Sequence, residues 1–300
     1  MTSAPYAMSP RLKRFAAALM VSSLLASCGS SPPAPRNSVP GLVVVTGLYP
    51  LAQAVEQIGQ GRARADNVVP PGQNPLSYQP GTAESAALSN SRLVVLGPTG
   101  LQPAIDSAAG SSPERVVHVA PPAGGTYYWL DPAAMRKAVP QIAAAMERAD
   151  PRDAATFQAG ARAFGDALGS TGIDYQSTIS TCPRRDVFAP DVAFAQTARA
   201  YGLTFHVVAG VDQPQASVVR SAAAAIQASG ATTVFVEPWV PQTTVRAAAA
   251  AAGVEVRALD TLVGPPAGGW PRQATYINLL EANLGALSSG LGCPSQGSGA

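Results

Sequence analysis

Short apolar segments alternate with helical segments along the chain from residue 41 onwards, and this alternation constrains the fold more than any other feature. The run LVVVT at residues 42–46 has the composition of a buried strand. It is followed by five apolar residues at the spacing of one helix face: Leu48, Leu51, Ala52, Val55 and Ile58. Because strand, helix and strand repeat in this order, the sequence predicts parallel strand pairing with right-handed crossovers, hence an α/β protein.

The same patterns give a set of predicted elements. The predicted strands are 42–46, 65–69, 92–97, 115–119, 186–189, 204–208, 232–236 and 254–259. The predicted helices are 48–58, 82–88, 131–148, 151–181, 192–201, 216–227, 243–252 and 275–287. Asp131 and Pro132 have the N-cap and first-position pattern of a helix start, and Pro140 predicts a kink.

Two similar halves and one long helix predict the domain organisation. The N-terminal lobe is predicted to span 41–150, the linking helix 151–181 and the C-terminal lobe 182–293, with a flexible tail at 294–300. Parallel-rich sheets flanked by helices are expected in both lobes. A small-ligand cleft is expected between the lobes, because interfaces of this kind are preferred binding sites.

The first 27 residues have the pattern of a lipoprotein signal peptide. Three basic residues precede an apolar run at 15–25, which is too short to span a bilayer as a mature helix. The sequence LASC ending at Cys28 resembles a bacterial lipobox, which implies cleavage before Cys28 and lipid on its sulfur. The proline- and serine-rich segment 28–40 suits a tether. We therefore expect a protein anchored by lipid on the extracytoplasmic face of the cell membrane.

With Cys28 assigned to lipid, two cysteines are left, Cys182 and Cys293. In a secreted protein such a pair favours a disulfide. The alternatives are two free thiols or a zinc-binding pair.

Charge and motif content exclude two classes of function. The formal net charge is +2 and there is no basic stripe, so nucleic acid is not an expected partner. The sequence has no G-x-S-x-G, H-E-x-x-H or phosphate-loop motif, and no enzymatic activity is expected.

A stiff loop, VPPGQNPLSYQP at residues 69–80, follows a predicted strand. Loops at the carboxyl ends of strands are where ligands bind in open α/β sheets. The loop is similar to the pattern P-G-x-(D/E)-P-H-x-(F/Y)-(E/Q)-P of the cluster A-I solute-binding proteins, the zinc and manganese receptors of ABC importers. In that family the histidine is the first metal ligand, and Leu76 stands in its place here.

The resemblance extends over most of residues 41–290. YYWLDP is similar to the family's H-x-W-L-D-P and places Tyr127 at the second ligand position. PDVAF stands where the family has A-H-x-A-F, so Asp191 replaces the third ligand. VFVEP, which contains Glu237, is unchanged and is expected to be mostly structural, although Glu237 could line the cleft. ALD retains the fourth, acidic ligand as Asp260.

The resemblance implies a monomeric solute-binding protein that works with an ABC permease, but the donor set at its site is altered. Leu76 cannot donate, Tyr127 is a weak ligand, and Asp191 and Asp260 are hard oxygen donors. Zinc prefers nitrogen and sulfur, whereas such oxygens suit manganese, magnesium, calcium or ferric iron. A divalent ion such as manganese, zinc or iron is one candidate occupant, and a small organic or cationic solute is another. In a third hypothesis the chain binds no solute and is a surface interaction module.

Several residues have simpler interpretations. Asp191 precedes a predicted helix and could be its N-cap, and Asp260 could close a turn through its side chain. His118 and His206 lie in predicted strands and are expected to be structural.

Overall fold

The computed structural model describes residues 41–122, 125–208, 213, 215–271 and 274–294. The predicted signal peptide, the tether, Cys28 and most of the predicted tail lie outside these residues. Within the described ranges, no helix combines the length and apolarity needed to cross a bilayer.

The N-terminal lobe contains a parallel sheet whose four described strands run in the order β2-β1-β3-β4. They are β1 (Leu42–Thr46), β2 (Ala63–Asn67), β3 (Leu93–Leu96) and β4 (Val116–His118). Val44, in the central strand β1, lies opposite Ala65 on one side and Leu93 on the other. The crossover helices are α1 (Tyr49–Gly59), α2 (Thr82–Asn90) and α3 (Pro103–Ala109).

Two details of this lobe differ from the prediction. Strand β2 begins and ends two residues earlier than expected, because it is an edge strand whose polar residues tolerate exposure, and the buried Val68 and Val69 follow it. Helix α3 was not predicted; it is seven residues long and begins with Pro103 in its first turn.

Two helices follow the first sheet, α4 (Pro132–Ala149) and α5 (Ala154–Ser180). Asp131 caps α4 as predicted, since its carboxylate accepts a hydrogen bond from the Ala133 N–H at 3.0 Å. The 27-residue helix α5 packs against α1, α4 and the C-terminal helix. Gly160 permits this close packing, because a Cβ there would lie 2.3 Å from the Ile58 carbonyl oxygen.

The described C-terminal lobe contains two parallel strand pairs that lie in contact. One pair is β5 (Asp186–Ala189) with β6 (Thr204–Val207), and the other is β7 (Thr233–Val236) with β8 (Glu255–Ala258). Its helices are α6 (Ala195–Ala200), α7 (Ala216–Ser229), α8 (Thr243–Ala252) and α9 (Tyr276–Leu291). Helix α6 begins three residues later than predicted.

A disulfide joins Cys182, just after α5, to Cys293, just after α9. The predicted pairing is therefore present in the structure, and the alternatives of free thiols or a zinc pair are wrong. The bond closes a segment with a sequence separation of 111 residues and holds both ends of the C-terminal lobe together.

One loop of the C-terminal lobe, residues 259–265, makes hydrogen bonds to the N-terminal lobe, and we call it the crossing loop. The Val263 carbonyl accepts from the Tyr49 N–H at 3.0 Å, and the Pro265 carbonyl accepts from the Gly72 N–H at 2.9 Å. The Trp129 indole donates to the Thr261 carbonyl at 2.9 Å. Within this loop the fully buried Leu262 has a φ of +55°, a conformation that is unfavourable for a bulky side chain.

Candidate functional site

Three carboxyl groups come from the carboxyl ends of strands in the C-terminal lobe. Glu237 directly follows β7, Asp260 lies two residues after β8, and Asp191 lies two residues after β5. The carboxyl ends of parallel strands meet at one edge of the lobe, which is the common position of ligand sites in α/β folds. Tyr127 approaches from the other lobe, immediately before the turn Tyr128–Leu130.

Glu237 is the most unusual of these groups. Its side chain is 1% exposed, and neither of its carboxyl oxygens accepts a hydrogen bond from a donor among the described residues. It faces the Asp191 carboxyl group, and two carboxyl groups can hydrogen-bond only if one of them is protonated. Burial first, then the negative charge of Asp191, raises the pKa of Glu237 to about 9, with a contribution from Asp260. Glu237 therefore holds a proton at neutral pH.

Hydrogen bonds hold both the side chain and the backbone of Asp260 in place. Its two carboxylate oxygens accept from the Leu262 N–H at 2.8 Å and from the Trp270 indole N–H at 2.7 Å. The Asn283 side chain accepts from the Asp260 N–H and donates to the Asp260 carbonyl, both at 2.8 Å. Burial raises the pKa of Asp260, and the two hydrogen bonds to its carboxylate partly oppose this rise. The position of this carboxylate is therefore fixed by its surroundings.

Aromatic side chains lie beside the acids. The Tyr49 ring packs against that of Trp270 with 4.4 Å between centroids. The buried Tyr49 hydroxyl has no hydrogen-bond partner in the described part of the chain. Burial first, then the charge of Asp260, raises the pKa of Tyr49 to about 12. Tyr49 is therefore a neutral phenol at physiological pH.

Tyr127 is in the same electrostatic environment. Its pKa is raised by burial first and then by the charges of Asp191 and Glu237. Its ring packs edge-on against Trp129 with 5.5 Å between centroids. A phenol whose pKa is raised does not ionise at neutral pH, so Tyr127 is not an anionic metal ligand there.

Three of the four residues predicted for the cleft, Tyr127, Asp191 and Asp260, are therefore close enough to Glu237 to interact with it electrostatically. Leu76 packs, partly buried, against the core cluster that includes residues of the crossing loop, and its N–H donates to Asn74 at 3.0 Å. Leu76 itself therefore supplies no ligand atom from its side chain.

Two simpler interpretations of the aspartates have different outcomes. The N-cap interpretation of Asp191 is wrong, because α6 begins at Ala195 and the Asp191 carboxylate instead closes a turn by accepting from the Ala193 N–H at 2.7 Å. Asp260 does close a turn, through Leu262, and at the same time lies beside Glu237.

Sequence reasoning underestimated Glu237 and missed Tyr49 and Trp270. The signal for Glu237 was available, because an acid directly after a fully buried apolar strand lies at the ligand edge of a parallel sheet. Tyr49 and Trp270 gave no signal, since Trp270 bonds to Asp260 and packs on Tyr49 only through tertiary contacts.

Metal-ligand geometry is not evident at this site. In the described residues, no group of three histidine, cysteine, aspartate or glutamate side chains is placed to hold a metal ion. The two histidines have structural contacts, as predicted. The His118 ring nitrogen lies 3.0 Å from the Gly97 carbonyl, and His206 lies 2.7 Å from the Asp186 carboxylate and stacks on Phe188.

Comparison with known proteins identifies the family. Residues 44–290 match the family model described as ZnuA, zinc-uptake complex component A, periplasmic. The high-affinity zinc uptake system protein ZnuA of Bacillus subtilis is 21% identical over 299 residues, covering 89% of this chain and 94% of that protein. The manganese-binding lipoprotein MntA of Halalkalibacterium halodurans is 23% identical over 296 residues, covering 92% and 98%.

Solved structures share the fold. The periplasmic zinc-binding protein TroA from Treponema pallidum has a TM-score of 0.73 at 20% identity, covering 84% of this chain and 99% of that one. The Zn(II)-bound ZnuA-like domain of Streptococcus pneumoniae AdcA has a TM-score of 0.72 at 20% identity, with the same coverage. The predicted two-lobed α/β fold class is confirmed. The chain belongs to the ZnuA family, the extracytoplasmic solute-binding proteins of metal-type ABC importers, and is not an enzyme.

Proposed function

We propose that this chain is a lipid-anchored solute-binding protein that captures a cationic solute between its lobes and delivers it to an ABC permease. In this proposal residues 1–27 are removed and Cys28 carries the lipid. Residues 28–40 tether the folded part of the chain, which is a monomer. Its two lobes, 41–150 and 182–293, are linked by residues 151–181. The relatives named for zinc uptake and manganese binding support a cation as the solute.

The buried carboxyl group of Glu237 is the observation that carries this proposal. A buried acid is normally satisfied by donors or by a positive charge. The charged groups that shift the pKa of Glu237 are both acidic, Asp191 and Asp260. Three acids in this arrangement favour a positively charged occupant, because a cation offsets their mutual repulsion and stabilises the ionised form of Glu237.

The cation site predicts a loss of ligand stabilisation when the aspartates are neutralised. We expect at least one of manganese, zinc, ferrous iron, calcium or 1,4-diaminobutane to raise the melting temperature of the folded chain. Saturation at 100 times the Kd stabilises by about 2.7 kcal/mol, which corresponds to roughly 5–10 °C for a protein of this size. The double variant Asp191→Asn, Asp260→Asn should lose this shift in differential scanning fluorimetry.

A matched control is the double variant Asp166→Asn, Asp174→Asn, which removes two exposed carboxylates from α5 and should keep the shift. Retention of the full shift in the Asp191, Asp260 variant would remove these residues from the site. If none of these cations stabilised the protein, the solute-capture proposal would be wrong and an interaction module would be favoured.

Lipid anchoring predicts that the full chain is acylated only when Cys28 is present. In a bacterium that processes lipoproteins, metabolic labelling with an alkyne fatty acid should label the wild-type chain and leave Cys28→Ala unlabelled. Detergent-phase partitioning should fall in parallel. The control Cys182→Ala keeps Cys28 and should remain labelled. An unlabelled wild-type chain, or a labelled Cys28→Ala variant, would contradict the anchor.

A further inference from the structure

The oxygens of the acidic site are arranged for hydrogen-bond donors. Both oxygens of the Asp260 carboxylate already accept N–H donors, from Leu262 and Trp270. The two Glu237 oxygens are buried without a donor among the described residues. Buried polar groups normally have hydrogen-bond partners, and N–H groups of a cation form strong, charge-assisted bonds with carboxyl oxygens, so such groups suit the Glu237 oxygens.

The arrangement of ligand side chains among the described residues disfavours a metal ion as the occupant. Divalent ions need several ligands at about 2.0–2.6 Å around one point. In the part of the chain that the structure describes, no three candidate side chains converge in this way. Charge-assisted N–H to oxygen contacts are longer, about 2.7–2.9 Å. A cation with several N–H groups can therefore bridge carboxyl groups that do not converge on one point.

Aromatic rings flank these acids. The Tyr49 and Trp270 rings pack together beside Asp260, and Tyr127 lies beside Asp191 and Glu237. Aromatic faces attract organic cations and bury their alkyl parts, whereas they supply no lone-pair ligand to a metal ion. The buried Trp239 indole N–H, two residues after Glu237, also lacks a partner among the described residues. A metal ion cannot accept this hydrogen bond, but an organic solute with a polar atom can.

We propose that the solute is a small organic cation with a primary ammonium or guanidinium group, held by Glu237, Asp191 and Asp260 between the aromatic rings of Tyr49, Trp270 and Tyr127. This inference rests on the proposed function, since it names the solute class of the same site.

The test is a binding series on the purified mature chain by isothermal titration calorimetry and thermal shift. The probes are 1,4-diaminobutane and 4-guanidinobutylamine, compared with tetramethylammonium, manganese and zinc. We expect the two probes with N–H donors to bind and to raise the melting temperature. Tetramethylammonium has the charge but no N–H donor, and it should bind at least about ten-fold more weakly, because a missing charge-assisted hydrogen bond costs about that factor or more.

Two variants locate the probes in the site. Glu237→Gln should weaken 1,4-diaminobutane at least about ten-fold, because a buried charged partner is lost. Trp270→Leu should weaken it by roughly ten-fold through loss of the ring face. If Trp270→Leu fails to fold, Trp270→Phe keeps a ring while removing the hydrogen bond to Asp260, and it should bind more tightly than Trp270→Ala. The control Phe205→Leu, on β6, should bind as the wild type does.

The outcomes separate this inference from the proposed function. Stabilisation by manganese or zinc without binding of either amine would overturn the organic-cation inference and leave cation capture intact. Equal binding of tetramethylammonium would overturn the requirement for N–H donors. If neither class bound, the inference and the proposed function would both be wrong.

Discussion

Glu237→Gln is expected to stabilise the folded protein and to flatten its pH dependence. A carboxyl group whose pKa is about 9 when folded and near 4.5 when unfolded must hold a proton at pH 7. At pH 7 this requirement lowers the free energy of unfolding by on the order of 3 kcal/mol. Because the folded pKa is raised, the free energy of unfolding is highest below about pH 4.5, where both states hold the proton. It falls as the pH rises through about 9. The amide needs no proton and can still donate to Asp191.

Urea denaturation at pH 5, 7 and 9, without any added cation, measures this effect. The wild-type free energy of unfolding should fall steadily between pH 5 and 9, and that of Glu237→Gln should fall much less. The control Glu114→Gln changes an exposed acid and should follow the wild-type profile. A variant that is less stable than the wild type at all three pH values would show that the Glu237 charge is compensated in the folded protein. The same substitution is expected to weaken solute binding, so stability and function oppose each other at this residue.

Removal of the disulfide is expected to be the second large effect. The bond between Cys182 and Cys293 closes a loop with a sequence separation of 111 residues. In the chain-entropy model, opening a loop of this length costs about 5 kcal/mol. The melting temperature should therefore fall by roughly 10–20 °C. Calorimetry of Cys182→Ala, Cys293→Ala and the double variant should give nearly equal losses, because each variant removes the same bond.

Chemical reduction provides the matched control for this prediction. Dithiothreitol should destabilise the wild-type protein by the same amount and should leave the double variant unchanged. Unequal losses in the two single variants would indicate that one cysteine contributes packing beyond the bond. A wild-type protein insensitive to reduction would contradict an entropic contribution from this disulfide.

Much of the fold could be predicted from the sequence because its elements are locally specified. Strands β1 and β3 are mostly apolar and mostly buried in the centre of a parallel sheet, and Asp131 with Pro132 is an explicit helix start. The errors lie where tertiary contacts outweigh local pattern. Strand β2 contains polar residues because it is an edge strand. The predicted strand lay two residues too late because it was placed to include the buried Val68 and Val69.

The candidate site was only partly predictable for a related reason. Aligned motifs identified Tyr127, Asp191 and Asp260, since each follows a recognisable local sequence. They gave Glu237 a structural role, because a motif does not reveal that a carboxyl group is buried without donors. The contact of Trp270 with Asp260 joins residues of an irregular loop, and its partner ring, Tyr49, belongs to the other lobe. Such contacts depend on how the lobes meet.

The crossing loop has a mechanical consequence for transport. Asp260 lies on this loop, and its carboxylate accepts a hydrogen bond from the N–H of Leu262. Leu262 has a left-handed backbone and lies between Thr261, which bonds to Trp129, and Val263, which bonds to Tyr49. Separation of the lobes would break the bonds of this loop to Trp129, Tyr49 and Gly72, and Leu262 would then lose the contacts on both of its sides. Under the proposed function, the acid that binds the solute and the contacts that join the lobes belong to one loop, so a permease that separated the lobes would also weaken solute binding.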